Sequence, residues 1–426
     1  MPLKTILLIV LLGTGGKLYC QEVKKDTLKV TIQQAEAIFL KENLALLAQR
    51  LNVDATKALI IQARLYPNPT VTFTQGAYNP ETGKWFEQDF QNGEQAYQLS
   101  QLILLSHKIR KQTKIAETNY KLAEDNLFDL LRTLKLALRS NFYNLYFQQQ
   151  TARVYDEEIG SLKTIVAAYD KVKEKGYVSA ADCALVQAQL YSLQNEYQNL
   201  VDNINDLQSQ TRILLQASVN KYIQPIVESS ILRENPLEYR MGALLDSAYR
   251  NRTDLHIAHD NFLLSQQNLG YQKSLAVPDI TLGGNYDRRG SYVTNFNALS
   301  IGFSIPIFNR NQGNIKNAQI LEDYNKTQLL STEKIVEEQV TRGFEKALDA
   351  TRLLNGIDPD FAGRFDLLAK EMLRNYLSRN VSLINFLNFY DSYKQNIVQL
   401  NTISYNKVNA LENLNTLAGK GSDAID

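Results

Sequence analysis

The chain has 426 residues and a mass of 48.4 kDa, with 46 basic against 45 acidic residues and a mean hydropathy of −0.30. So even a balance argues against a polyanion such as nucleic acid as partner. No stretch reaches the run of about eighteen apolar residues that a helical span needs, which excludes a transmembrane helix and leaves a β-barrel open.

The first twenty residues read as a secretory signal: Lys4, an apolar run from Ile6 to Leu12, a Gly-rich stretch, then Leu18-Tyr19-Cys20 before the polar Gln21-Glu22. A Gram-negative periplasm or outer membrane is the expected destination. Loss of residues 1–20 removes Lys4 and Lys17 and leaves a net charge near −1. Cys20 invites comparison with a lipoprotein acceptor, but Lys17 and Tyr19 stand where that signal wants Leu and a small residue. Cleavage after Cys20 leaves Cys183 alone, with no intrachain disulfide.

Beyond the signal the sequence is one unit written twice. Ala37 aligns with Ala248, Leu44 with Leu255 and Pro67-Asn68 with Pro278-Asp279 at an offset of 211. The offset is 202 for Ile103 with Ile305 and Phe142 with Phe344, and 203 for Val178-Ser179 with Val381-Ser382. The nine-residue change falls between Pro67 and Ile103, so a surface loop is expected there. The units are assigned to residues 21–220 and 221–426.

Each unit opens with a helix. Thr31 and Gln34 form a capping box ahead of Ala35, Ile38, Leu46 and Leu59, and the helix runs to Pro67. Its counterpart runs from about Leu237 to Val277. A proline-marked break follows, then period-two alternation, which is strand. The first hairpin spans about 69–104, with Val71, Phe73 and Ala77 against Thr70, Thr72 and Thr74, and Tyr97, Leu99 and Ile103 against Gln98 and Ser100; Gln101 interrupts its apolar face. The second spans about 279–307. Ile280, Leu282, Gly284 and Tyr286 share one face, and in the returning strand Ile301, Phe303, Ile305 and Ile307 alternate with Ser300, Gly302, Ser304 and Pro306. Ile301, Phe303 and Ile305 are the expected membrane-facing residues.

The period then becomes three and four. Tyr120, Ala123, Leu127, Leu130, Leu134, Leu138, Phe142 and Leu145 mark a helix from about Ser106 to Lys175, roughly 100 Å long at 1.5 Å per residue. No proline lies between Pro80 and Pro225 to interrupt it. In the returning helix Val186, Leu190, Leu193, Tyr197, Leu200, Ile204, Leu207, Thr211 and Leu214 keep the alternating steps of a coiled-coil seam. The second unit differs at Asn355-Gly356-Ile357-Asp358-Pro359-Asp360, where its long helix either breaks or bulges.

Strands of about nine to eleven residues with one apolar and one small polar face suit a tilted bilayer crossing, apolar side to lipid. Four strands per chain leave open edges that lipid does not tolerate, so other chains must complete a barrel. Tyr78, Trp85, Phe86, Phe90 and Tyr97 in the first hairpin and Tyr286, Tyr292 and Phe296 in the second suit an interfacial girdle; packing within the loops explains Trp85, Phe86 and Phe90 equally well. His256 and His259 share a helical face, and two such ligands do not close a metal site. No phosphate-binding glycine loop and no catalytic cluster is evident, so neither enzyme activity nor a cofactor is expected.

Tyr66-Pro67-Asn68-Pro69, Arg252-Thr253-Asp254-Leu255 and the run from Ile305 through Asn309-Arg310-Asn311-Gln312-Gly313 resemble the TolC-type outer-membrane efflux proteins. The repeat carries the resemblance over the mature chain. It implies a mainly α fold with a small β part: a homotrimer with a twelve-stranded barrel in outer-membrane lipid, continued by a periplasmic helical barrel. It also implies a periplasmic membrane-fusion adaptor and an inner-membrane efflux pump as partners. The form of the exit motif leans toward members serving heavy-metal pumps. The resemblance places docking and gating tips at about 176–182, with Gly176, Tyr177, Val178, Ser179 and Asp182, and at about 379–385, with Arg379, Asn380, Val381, Ser382 and Asn385. Arg379 stands where Gly is usual and Asn385 where Asp is usual. The competing reading is a periplasmic coiled-coil structural or adaptor protein without a pore.

Overall fold

The computed structural model describes residues 26–88, 92–173, 178–289 and 293–420. The expected signal with Cys20, the aromatics Phe90 and Tyr292, and Gly176 and Tyr177 of the first tip lie outside the described residues.

The chain opens with β1 (Asp26–Thr31), and Thr31 then caps α1 (Ile32–Glu42): its hydroxyl accepts from the Gln34 amide while the Gln34 side chain accepts from the Thr31 amide. The single first helix expected from the sequence is two. Asn43 leaves helical geometry, its side-chain oxygen accepting from the amides of Ala45 and Leu46 to start α2 (Leu44–Ala63). Its amide group meanwhile donates to the Leu214 carbonyl at 3.0 Å, so the kink is also an anchor. The counterpart likewise divides, at Arg252, into α5 (Met241–Asn251) and α6 (Thr253–Leu275).

Between α2 and α5 lie β2 (Thr70–Gln75), the short pair β3 (Tyr78–Asn79) and β4 (Lys84–Trp85), β5 (Gln95–Ile103), α3 (Lys108–Lys173), α4 (Ala180–Leu215) and β6 (Lys221–Ile226). After α6 come β7 (Ile280–Asp287), β8 (Phe296–Phe303), α7 (Gln312–Asn355), α8 (Phe361–Leu377) and α9 (Leu383–Leu417). The second long helix breaks, as its sequence allows. α7 stops at Asn355, the Asp358 side chain accepts from the Asp360 amide, and Pro359 sits in the turn ahead of α8.

α3 is the spine, packing against α2, α4, α6 and α9. Its Leu138, Phe142, Leu145, Leu162 and Ile165 are buried against Val186, Leu190, Leu193, Leu200 and Ile204 of α4 and against Phe386 and Tyr390 of α9. Tyr197 and Leu207, also on the α4 seam, are half-buried against the same core.

A parallel pair, β1 with β6, was not expected from the sequence. Buried Gln208 completes it like a piece of strand, accepting from the Ile223 amide at 2.8 Å and donating to the Ile223 carbonyl at 2.6 Å. The four-stranded sheet has the order β2-β5-β7-β8 and is antiparallel throughout.

Candidate functional site

Register fixes which side chains share a face of the four-stranded sheet. Val71 lies opposite Leu99, which lies opposite Gly284, opposite Leu299; Phe73, Tyr97 and Tyr286 form the next row, and Ile103, Ile280 and Phe303 another. That face is apolar and exposed: Leu299 is 93% exposed, Ile301 71% and Phe303 64%. The other face carries Thr70, Thr72, Thr74, Gln98, Ser100, Thr281, Gly283, Asn285, Ser300 and Gly302, small or polar almost without exception. A Cβ at Gly283 would meet the Ser300 hydroxyl at 2.4 Å, so a larger residue there makes the Ser300 side chain turn away.

Two expectations need correcting. The returning strand runs Phe296–Phe303, not to Ile307, so Ile305 lies beyond the ladder, although its side chain is exposed. Pro306 lacks the amide that would prolong pairing. Phe296 falls opposite Asp287, on the polar face rather than in an outward girdle. Tyr97 stands in an aromatic row on the apolar face, 5.0 Å from Phe73 and 6.3 Å from Tyr286 by ring centroid. Trp85 packs on Tyr78 at 5.1 Å, within its own loop. Gln101, the polar interruption, turns its amide onto the Pro67 carbonyl at 2.9 Å.

The junction between sheet and helices is tied across the two units. Asp279, after the second proline break, accepts from the Leu105 amide at 2.9 Å and from Lys108 Nζ at 2.6 Å. Lys108, buried, also donates to the Val277 carbonyl at 2.7 Å. Ser106 and His107 both take positive φ, at 56° and 57°, to make the sharp entry into α3. In the second unit Asn311 takes that role: its φ is 59°, and its side chain donates to the Gln272 carbonyl at 2.8 Å. The exit motif is thus a turn that fastens α7 to α6. The Arg252 guanidinium grips Asp254 and reaches Gln339 at 2.8 Å, while Thr253 donates to Asp129 of α3 at 2.8 Å. Burial raises the Asp254 carboxyl, but the Arg252 fork outweighs it and leaves the group below its ordinary range.

At the far end the two described parts of the tips come together. Ser179 caps α4 through the Asp182 amide at 3.0 Å, and Ser382 caps α9 through the Asn385 amide at 3.3 Å. Leu383 and Phe386 share a buried core with Ile165 and Val186, and the Tyr169 and Tyr376 hydroxyls touch. Arg379 has φ of 62° in the left-handed seat that ends α8, with its amide on the Tyr376 carbonyl and that of Asn380 on the Asn375 carbonyl. Gly419 closes α9 by the same pair of bonds. Asp182 places a negative charge in the first turn of α4, where the helix dipole favours it; neutral Asn385 gives α9 less.

His256 Nδ1 stands 4.0 Å from Asp125, and His259 Nδ1 is 3.1 Å from Asp260. Among the described residues no group of three or more His, Cys, Asp or Glu is arranged to hold a metal ion. Sequence reasoning missed the Lys108 and Asp279 pair, Asn43 and Gln208. Pro278-Asp279 was a visible signal, but its partner is 171 residues away.

Residues 37–217 match the family model described as outer membrane efflux protein, the family the sequence resembles. Among solved structures, the Campylobacter jejuni CmeC outer membrane channel is similar at a TM-score of 0.73 and 14% identity, covering 93% of this chain and 87% of that one. The open-state MtrE outer membrane channel of Neisseria gonorrhoeae matches at 0.69 and 16%, over 92% and 89%. The outer membrane protein VceC of Vibrio cholerae matches at 0.70 and 13%, over 92% and 97%. These likenesses establish the fold. No curated protein matches the chain by sequence.

Proposed function

We propose that this chain, whose residues 37–217 fall in the outer membrane efflux protein family, is a protomer of a passive outer-membrane channel through which an inner-membrane pump expels its substrates. Residues 1–20 direct its export, and residues 21–220 and 221–426 are its two repeats. The observation that carries the reading is a coincidence of edges. The sheet order is β2-β5-β7-β8, and the helices that enter and leave it lie side by side as α2, α3, α6 and α7. Both layers therefore end on the same two sides of the chain, at β2 with α2 and at β8 with α7.

On those sides the sheet has a free edge and the helices carry exposed apolar residues. β2 and β8 are the edge strands of their sheet, and Leu44, Leu51 and Leu59 on α2 and Ile320, Tyr324 and Leu330 on α7 are all exposed. An edge of one kind meets an edge of the other, a head-to-tail contact that closes into a ring. Two copies would give eight strands with a filled interior; three give twelve and a lumen lined by the Thr, Ser, Asn and Gly face. The homotrimer is thus the closure that supports passage.

The tips Gly176, Tyr177, Val178, Ser179 and Asp182, and Arg379, Asn380, Val381, Ser382 and Asn385, dock a periplasmic adaptor and gate the helical end. Gly176→Pro is expected to abolish export and leave barrel assembly intact. The channel itself is tested by extracting the protein from outer membranes, measuring the mass of the assembly and recording conductance in planar bilayers. Release by salt without detergent, as a monomer without conductance, would instead favour the periplasmic coiled-coil reading. Whether metal ions or drugs are the cargo is answered by deleting the gene and screening both for hypersensitivity.

A further inference from the structure

Where α8 begins after the break at Gly356, it lies over α3 and α9 and leaves an open cavity of about 380 Å³ between the three helices. Its lining includes Glu157 and Glu158 of α3, Asp366 and Lys370 of α8, and Tyr390 and Tyr393 of α9. Glu158 is only 4% exposed, and its Oε2 is buried without a hydrogen-bond partner. A carboxyl buried without a partner is costly, and native structures seldom leave one unexplained.

The charges around it do not account for it. Lys394, the cation whose field reaches Glu158, is held by Glu196 of α4 at 2.8 Å and Asp391 at 3.0 Å. Asp366 accepts from Tyr393 at 2.9 Å and pairs with Lys370 at 3.0 Å. Glu157 adds a further carboxylate, so the cavity carries more negative than positive charge. The Tyr390 and Tyr393 rings, 6.4 Å apart and tilted by 56°, line the same cavity as Glu158. Because no metal-holding group exists among the described residues, the arrangement suits a spread-out organic charge, which aromatic faces also attract.

We propose that this cavity binds a quaternary or aromatic organic ammonium, with its charge on the Glu158 carboxylate and its hydrocarbon against Tyr390 and Tyr393. The site lies wholly within one chain's helical part and does not depend on the channel reading. Burial pushes the empty Glu158 carboxyl up to about 8, with Asp391 and Glu196 raising it and Lys394 opposing. The empty site is therefore protonated at neutral pH, and a bound cation displaces that proton into solvent.

The test is calorimetric titration of the detergent-purified full chain with benzyltrimethylammonium, whose fixed charge has no proton of its own. Saturable binding at one site per chain is expected, tightening by about tenfold per pH unit as the pH rises toward roughly 8. Glu158→Gln should weaken binding at least tenfold and flatten the pH profile, and Tyr390→Leu should weaken it while keeping the profile. Absence of saturable binding at pH 8, a flat wild-type profile, or wild-type affinity in Glu158→Gln would each overturn the proposal. If Glu158→Gln does not fold, unchanged affinity in Tyr390→Leu overturns it equally.

Discussion

Neighbouring residues on β8 separate a membrane barrel from a soluble sheet. Ile301 lies on the apolar face and is 71% exposed, while Ser300 lies on the polar face opposite Gly283. In water, Ile301→Arg and Ser300→Arg are both exposed substitutions and should each change stability by within about 0.5 kcal/mol. In a barrel only Ile301→Arg forces a guanidinium into lipid, at about 2 to 4 kcal/mol per chain near the midplane. A closed ring repeats that penalty in every protomer, so about 6 to 12 kcal/mol accumulates over three copies, enough to remove most of the assembled form. The assay is the amount of oligomer recovered from outer membranes, followed by urea unfolding in lipid vesicles. Trp85, the only tryptophan, gives the fluorescence signal from its contact with Tyr78. Equal recovery and equal unfolding midpoints for the two variants would refute the lipid-facing assignment.

Asp279→Ala strips a buried lysine of its carboxylate and should cost about 3 kcal/mol, at the low end for a broken buried pair because Asp279 is partly exposed. At about 2.1 cal/mol/K per residue of unfolding entropy, a chain of 426 residues loses roughly 3 °C in Tm by circular dichroism. Replacing both partners together, as Lys108→Met with Asp279→Leu, should recover most of it. Arg379→Gly should raise stability by up to about 1 kcal/mol by relieving a left-handed non-glycine residue, whereas Gly419→Ala, in the same motif, should lower it; hydrogen exchange at the α8 and α9 ends reads both. Glu158 holds its proton more tightly in the folded chain than in the unfolded one. Wild-type stability therefore falls as pH rises from the ordinary carboxyl range to about 8. Glu158→Gln should be more stable than wild type at pH 8 by about 1 to 3 kcal/mol, and no more stable at pH 5, in paired denaturant titrations.

What the sequence showed depended on how local the signal was. The coiled-coil seam of α4 and the Thr31 capping box are each written within a few residues, and each appears as read, while the stretch after Asn355 allowed a break or a bulge and takes the break. The second hairpin's faces were also legible, because alternation is a period-two pattern in one strand. Its end was placed too late: Ile305 and Ile307 continue the alternation, but alternation does not reveal where pairing stops, and Pro306 should have. Asn43 and Arg252 resemble ordinary helix-surface residues until the Leu214 carbonyl and Gln339 are seen beside them. The β1 and β6 pair joins segments 195 residues apart, with no turn between them to signal pairing.

The places where the two repeats disagree are more informative about function than the places where they agree. Agreement follows from the fold: both units need a proline break, a hairpin and a seam, so shared residues such as Val178-Ser179 and Val381-Ser382 need only serve the helical turn. The second unit departs by breaking its long helix at Gly356 and by seating Arg379 in a left-handed position at its tip. Both departures have a local energetic cost, a lost stretch of helix in one case and a strained backbone in the other. They bracket α8, whose counterpart in the first unit is the unbroken distal part of α3, and α8 closes the cavity that holds Glu158. α8 is fastened here to both neighbours, to α9 through the Tyr393 hydroxyl on Asp366 and to α3 through the touching Tyr169 and Tyr376 hydroxyls.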